Sequence, residues 1–255
     1  MTDDKCCLGS LQAERLDHVA VSIRGTRLDK AEDRGVDGLT VNGLSVERGG
    51  RLVVSDLSFD VPFGQALLLT GPNGAGKTTL IRALAGLLPA ADGEISLADA
   101  RDDEPLGTQC HYVAHANAAK LELSVRENLQ FWLNFLGGAD GAEVVAMAEV
   151  GLAALADIPV RYLSAGQQRR VAIARLLIAR RPVWLLDEPT VSLDAANMAR
   201  LVTFGNAHLA SGGIIIAATH TPLGFEPMIE LRLEPVDLLG FGESIWDVSP
   251  SQAAS

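Results

Sequence analysis

Apolar and polar residues alternate from Leu39 to Val61. Leu39-Thr40-Val41, Leu44-Ser45-Val46 and Leu57-Ser58-Phe59-Asp60-Val61 each predict a half-buried strand, with a turn at Gly49-Gly50 and a stop at Pro62. Together they predict an antiparallel layer. The pattern then changes. Ala66-Leu67-Leu68-Leu69 is a continuous apolar run of the length of a buried strand, and Thr79 to Ala85 reads as a helix ending at Gly86. Short strands follow at Gly93–Leu97 and Tyr112-Val113-Ala114, separated by an acidic loop from Asp99 to Glu104. Leu129, Trp132, Leu133 and Leu136 recur at helical spacing behind Ser124 and Glu127, a capping-box pair, and Gly137-Gly138 ends that helix. A second helix is expected over Ala142–Ala156. A third carries Val171, Ala174 and Ile178 and closes at Arg180-Arg181-Pro182. Val183 to Leu186 and Ile214 to Ala218 predict buried strands around a helix from Ala195 to Leu209, and Ile229, Leu231 and Leu233 alternate as a last strand. Residues 1–38 and 241–255 carry little pattern and are read as a flexible N-terminal extension and a tail.

Composition narrows the choices. With 48% hydrophobic residues in 255, the chain can bury a full core. Its formal net charge of -11 removes the broad basic surface of a nucleic-acid binder, so no nucleic-acid partner is expected. Cys6, Cys7 and Cys110 have neither zinc nor disulfide spacing, which makes a reducing compartment the default. Met1–Ser10 has no signal-peptide pattern, and Ile214–Ala218, among the longest apolar runs, is only strand-length. Any work at a membrane needs a second chain to supply the span.

The chemistry starts between the Ala66–Leu69 strand and the helix after it. Gly71-Pro72-Asn73-Gly74-Ala75-Gly76-Lys77-Thr78 reads G-x-x-x-x-G-K-T, followed by Thr79. In a strand–loop–helix context this is a phosphate-binding loop. Its glycines let backbone N–H groups approach phosphate oxygens, and the helix start adds unpaired N–H groups. Lys77 is expected to reach the β- and γ-phosphates and Thr78 to ligate Mg²⁺. Asp187 and Glu188 end an apolar strand, where Asp187 would hold Mg²⁺ through water and Glu188 would polarise an attacking water. His220, just past another apolar strand, is a candidate γ-phosphate contact.

Phosphate loop, Leu163-Ser164-Ala165-Gly166-Gln167, strand with Asp187-Glu188, Ser192-Leu193-Asp194 and His220, in this order, resemble the ATP-binding cassette (ABC) ATPases over about residues 39–235. The resemblance implies an α/β P-loop NTPase over residues 39–240: a RecA-like core with an antiparallel β layer and a helical subdomain inserted at about 108–170. It also implies a homodimer through the nucleotide sites, with ATP on one copy closed over by Ser164, Ala165, Gly166 and Gln167 of the other. Three positions depart from the family pattern. Ala165 stands where Gly is usual. His115 stands in a Gln slot, where it could meet water near Mg²⁺ or signal to a partner. Arg48 replaces an adenine-stacking aromatic, a role a guanidinium plane can also fill.

A narrower resemblance rests on Arg48-Gly49-Gly50-Arg51, Tyr112 to Lys120, Arg126 to Trp132, Tyr162 to Arg170 and Thr219 to Gly224. These segments look like the haem-exporter ATP-binding subunits of cytochrome c maturation (the CcmA type), in which Ala165 and the His115 segment are expected. That implies an ATPase that works with integral membrane subunits, peripheral to the cytoplasmic face of the inner membrane. The alternatives are the ATPase of another small bacterial exporter or a soluble cassette ATPase.

Overall fold

The computed structural model describes residues 22–24, 37–98, 104–221 and 223–236. The expectations for Cys6 and Cys7, most of the extension, nearly all of the acidic loop and the tail at 241–255 lie outside the described residues. In chain order the elements are β1 (Ser22–Arg24), β2 (Gly38–Arg48), β3 (Arg51–Pro62), β4 (Ala66–Thr70), α1 (Lys77–Leu84), β5 (Asp92–Leu97), β6 (Cys110–Val113), α2 (Val125–Leu136), α3 (Ala142–Glu149), α4 (Ala165–Ile178), β7 (Val183–Asp187), α5 (Ala195–Ala210), β8 (Ile214–Ala218) and β9 (Met228–Arg232).

The alternating stretch forms an antiparallel sheet in the order β3-β2-β5. The two segments Leu39–Val41 and Leu44–Val46 are one strand, not two. The three-residue step from Val41 to Leu44 would turn Leu44 to the opposite face of a regular strand, because side chains alternate. A register shift between Val41 and Leu44 absorbs the extra residue, and Leu39, Val41, Leu44 and Val46 are all buried.

The second sheet runs β1-β9-β4-β8-β7-β6. β9, β4, β8, β7 and β6 are parallel, and β1 pairs antiparallel on the edge of β9. Within the stretch read as an extension, Ser22–Arg24 therefore contributes an edge strand. Alternate residues of the central strands enter two cores. Val183, Leu185, Ile214, Ile216 and Ala218 pack toward α1 and the antiparallel layer, while Trp184, Leu186, Ile215 and Ala217 pack with the residues of the other helices. This is why β7 and β8 read as unbroken apolar runs.

Helices α2, α3 and α4 pack together around Leu129, Leu133, Met147 and Val171. Ser124 caps α2 with the expected box: its Oγ accepts from the Glu127 N–H, and the Glu127 carboxylate accepts from the Ser124 N–H. Two boundaries move. α3 stops at Glu149, not Ala156, because a Schellman closure forms around Gly151: Leu152 N–H donates to the Met147 carbonyl at 2.7 Å and Gly151 N–H to the Ala148 carbonyl at 3.0 Å. The helical insertion also begins later than 108, since Cys110–Val113 pairs with β7 inside the main sheet. Among the described residues, no helix is long and apolar enough to cross a membrane.

Candidate functional site

The glycine loop leaves β4 and enters α1 at Gly76, whose carbonyl accepts from the Leu80 N–H at 2.8 Å. Gly76 has φ 93°, a conformation that favours glycine, and a Cβ there would lie in tight contact 3.0 Å from the Val53 carbonyl. Lys77 is the first residue of α1 and only 8% exposed. Its ammonium donates to the carbonyls of Gly71 (2.7 Å) and Pro72 (3.0 Å), which holds it over the loop. Ala75 is packed in the core beneath.

Strand order brings the other candidates to this loop. β8 lies between β4 and β7, and all three are parallel, so their C-terminal ends share one edge of the sheet. Asp187, 4% exposed, ends β7, and its Oδ1 accepts from the Thr78 hydroxyl at 3.1 Å. Burial raises its pKa above the ordinary carboxylate value, against the Thr78 hydrogen bond and the Arg82 charge, which lower it. Glu188 follows in a left-handed conformation (φ 50°), with its N–H donating to the Ala218 carbonyl at 2.8 Å. That conformation is strained for a non-glycine residue and is held by its surroundings. The His220 Nε2 donates to Asn73 Oδ1 at 3.1 Å and lies 3.8 Å from Glu188 Oε1.

These groups line one cleft of about 490 Å³, together with Arg48, Val53, Gly74, Thr79 and His115. Thr78 and Asp187 present oxygen atoms to it, the donor type a hard divalent cation takes. Among the described residues, no group of three or more His, Cys, Asp or Glu is arranged to hold a metal. A cation here would therefore draw its remaining ligands from phosphate and water, as Mg²⁺ commonly does.

The Ser164–Gln167 segment is elsewhere and does not line this cleft. Ser164 caps α4, with its Oγ accepting from the Gln167 N–H and its own N–H donating to Gln167 Oε1 at 2.8 Å. Ala165 is the first helical residue, so its backbone does not need a positive φ and its methyl group is accommodated without strain. Gly166 is constrained instead: a Cβ there would sit 2.7 Å from the Ser192 carbonyl.

The sequence pattern does not single out Val53, Asn117 or Arg169. Val53 lines the cleft from β3. Arg169 lies on α4 and donates to the carbonyls of Asp187 and Glu188 and to the Asn117 side chain. It shares a helix face with Ala172, Ile173 and Leu176, all buried, but burial alone does not name a partner.

The family model described as "ABC transporter" matches residues 54–191. The chain is 54% identical over 195 residues to the cytochrome c biogenesis ATP-binding export protein CcmA of Nitrobacter winogradskyi, covering 76% of this chain and 97% of that one. It is 50% identical over 196 residues to the CcmA protein of a Chelativorans species, with the same coverage. A solved structure of an ATP-binding subunit of an ABC transporter superposes with a TM-score of 0.66 at 27% identity, covering 72% of this chain and 79% of that one. By the family match and by relatives covered almost end to end, the chain belongs to the ABC transporter family, among the CcmA cytochrome c biogenesis ATP-binding export proteins.

Proposed function

We propose that the chain is the ATP-hydrolysing subunit of an ABC export complex that serves c-type cytochrome assembly. The observation that carries this reading is the convergence of Lys77, Thr78, Asp187, Glu188 and His220 on one cleft beside the glycine loop. Lys77 and the backbone of Gly71–Thr79 bind the phosphates, and Arg48 stacks on the base. Thr78 and Asp187 would hold a Mg²⁺ ion, which would supply neutralisation of the phosphate charge. Glu188 orients the water that attacks the γ-phosphorus and accepts its proton, while His220 contacts the γ-phosphate. The products are ADP and inorganic phosphate.

Two copies work together. Ser164–Gln167 lies outside its own chain's cleft, and Ser164 opens a helix whose first N–H groups suit an anion. Ser164, Ala165, Gly166 and Gln167 of one copy close over ATP on the other. Integral membrane subunits provide the path, and the chain sits peripherally on the cytoplasmic face of the inner membrane. Its relatives' names point to export in cytochrome c biogenesis, and haem is the cargo we assign.

The test replaces the chromosomal copy with Glu188→Gln and follows c-type cytochromes by haem staining. Loss of c-type cytochromes with the protein still membrane-bound supports the reading. Wild-type levels would redirect it to another exporter.

A further inference from the structure

Arg169 is 2% exposed, and its guanidinium is held by carbonyl and amide oxygens. Nε donates to the Pro189 carbonyl at 3.2 Å. One terminal nitrogen donates to the Ala114 carbonyl at 2.6 Å and to Asn117 Oδ1 at 3.1 Å. The other donates to the carbonyls of Asp187 at 3.3 Å and Glu188 at 2.7 Å. A guanidinium has five N–H donors in a fixed planar fork, and each finds an acceptor. Lysine has three donors and no fork, so it cannot reproduce this set. The buried charge faces the Asp187 and Glu188 carboxylates through space, which partly offsets its desolvation.

The five acceptors belong to two segments that are distant in sequence. Asp187, Glu188 and Pro189 form the turn in which Glu188 takes its left-handed conformation. Ala114 and Asn117 flank His115, which lines the cleft. Arg169 itself is carried by α4, the helix that Ser164 opens. Arg175, further along the same helix, holds the Asn117 carbonyl at 3.3 Å and lies over the Trp132 ring of α2 at 3.9 Å.

We infer that Arg169 is a positioning residue: it holds the Glu188 turn in hydrolytic geometry and ties that turn to the His115 segment and to α4. The inference rests on the proposed role of Glu188. A shift of α4 or of the His115 segment is passed to Glu188 through one rigid side chain. Phosphate binding, which depends on the loop at Gly71–Thr79, does not pass through it.

The experiment compares full-length wild type, Arg169→Gln, Arg169→Lys, Asn117→Ala and Glu188→Gln. It measures kcat, KM and the Kd for ATP, with thermal unfolding as the check on folding. A folded Arg169→Gln should lose kcat on the order of 10²-fold, the cost of a displaced catalytic group, while its Kd for ATP changes less than about threefold. Arg169→Lys should fail to rescue kcat, and Asn117→Ala should lower it less. A merely structural role would lower Tm and leave the kcat of the folded fraction unchanged, and wild-type kcat in folded Arg169→Gln overturns the inference. If Arg169→Gln does not fold, Asn117→Ala decides: unchanged kcat there overturns it too. The Glu188→Gln arm separates the two failures. Turnover in that variant refutes the role of Glu188 itself, whereas an inactive Glu188→Gln beside a fully active Arg169→Gln refutes only the positioning role.

Discussion

The Thr78 hydroxyl and Asp187 Oδ1 meet at 3.1 Å across 109 residues of sequence. Each stands at the start or end of a rigid element, Thr78 in the first turn of α1 and Asp187 at the last position of β7. The contact exists because β7 and β4 run parallel with β8 between them. If the pair acts as one unit on a cation, Thr78→Ala and Asp187→Asn are not independent. Each should abolish most Mg²⁺-dependent turnover, and the double variant should fall short of the summed losses by a coupling of about 1–3 kcal/mol. ATPase rates across Mg²⁺ concentrations, for the four proteins of the cycle, give the coupling directly.

Lys77 is expected to act on binding. Its ammonium already spans the Gly71 and Pro72 carbonyls of the glycine loop. Lys77→Ala should weaken ATP binding by about 1.5–3 kcal/mol, the usual worth of hydrogen bonds to a charged group. Titration calorimetry with ATP measures this, and unchanged affinity would remove Lys77 from the site.

Ser124 offers a stability test away from the cleft. Its capping box on α2 satisfies the N–H groups of both Ser124 and Glu127. Ser124→Ala should cost about 1 kcal/mol in urea unfolding, as cap removals do, with the Kd for ATP unaltered.

His111 sets a pH dependence. It is 3% exposed, and its Nε2 donates to the Ala179 carbonyl at 2.7 Å. Burial, the main cause, lowers its pKa to about 4 from the ordinary 6.5, with the nearby Arg175 and Arg181 charges acting in the same direction and the Ala179 hydrogen bond opposing. The folded protein then keeps the ring neutral while the unfolded chain protonates it. This contribution to stability is complete above pH 6.5 and is lost as pH falls toward 4. Between pH 7 and pH 5 the loss attributable to this one group is about 2 kcal/mol. Urea unfolding of wild type and His111→Gln at both pH values isolates it, since the variant should have the shallower slope.

Removing residues 1–36 tests the extension. Of the described elements only β1 is lost, and it pairs solely with β9 at the sheet edge. The loop-bearing strand β4 keeps β9 on one side and β8 on the other. The truncated protein should bind ATP with a Kd within about twofold of the full chain, because β9 stands between β1 and the loop-bearing β4 and keeps its pairing with β4. Loss of folding would show that β1 supports more than an edge.

Local features are legible in the sequence. The glycine loop can be read because its conformation is dictated by residues adjacent in sequence, and the Ser124–Glu127 box for the same reason. The end of α3 is not legible, because Ala153–Ala156 continues its apolar pattern while a closure around Gly151 ends the helix first. The continuity of β2 is hidden by a bulge that interrupts the alternation of its buried face. The role of Arg169 is silent in the sequence because its five acceptors start 18 residues away.

By itself the sequence determined which residues are chemically able to bind a nucleotide and which elements carry them, since periodicity, capping and glycine turns act over a few residues. The tertiary structure alone decided that Lys77, Asp187, Glu188 and His220 share a cleft, that Ser164 lies outside it, and that Arg169 donates to the Glu188 carbonyl. Strand order and the burial of a planar, five-donor cation are decided by long-range packing, and no local pattern encodes the partner of a group folded against it from a distant part of the chain.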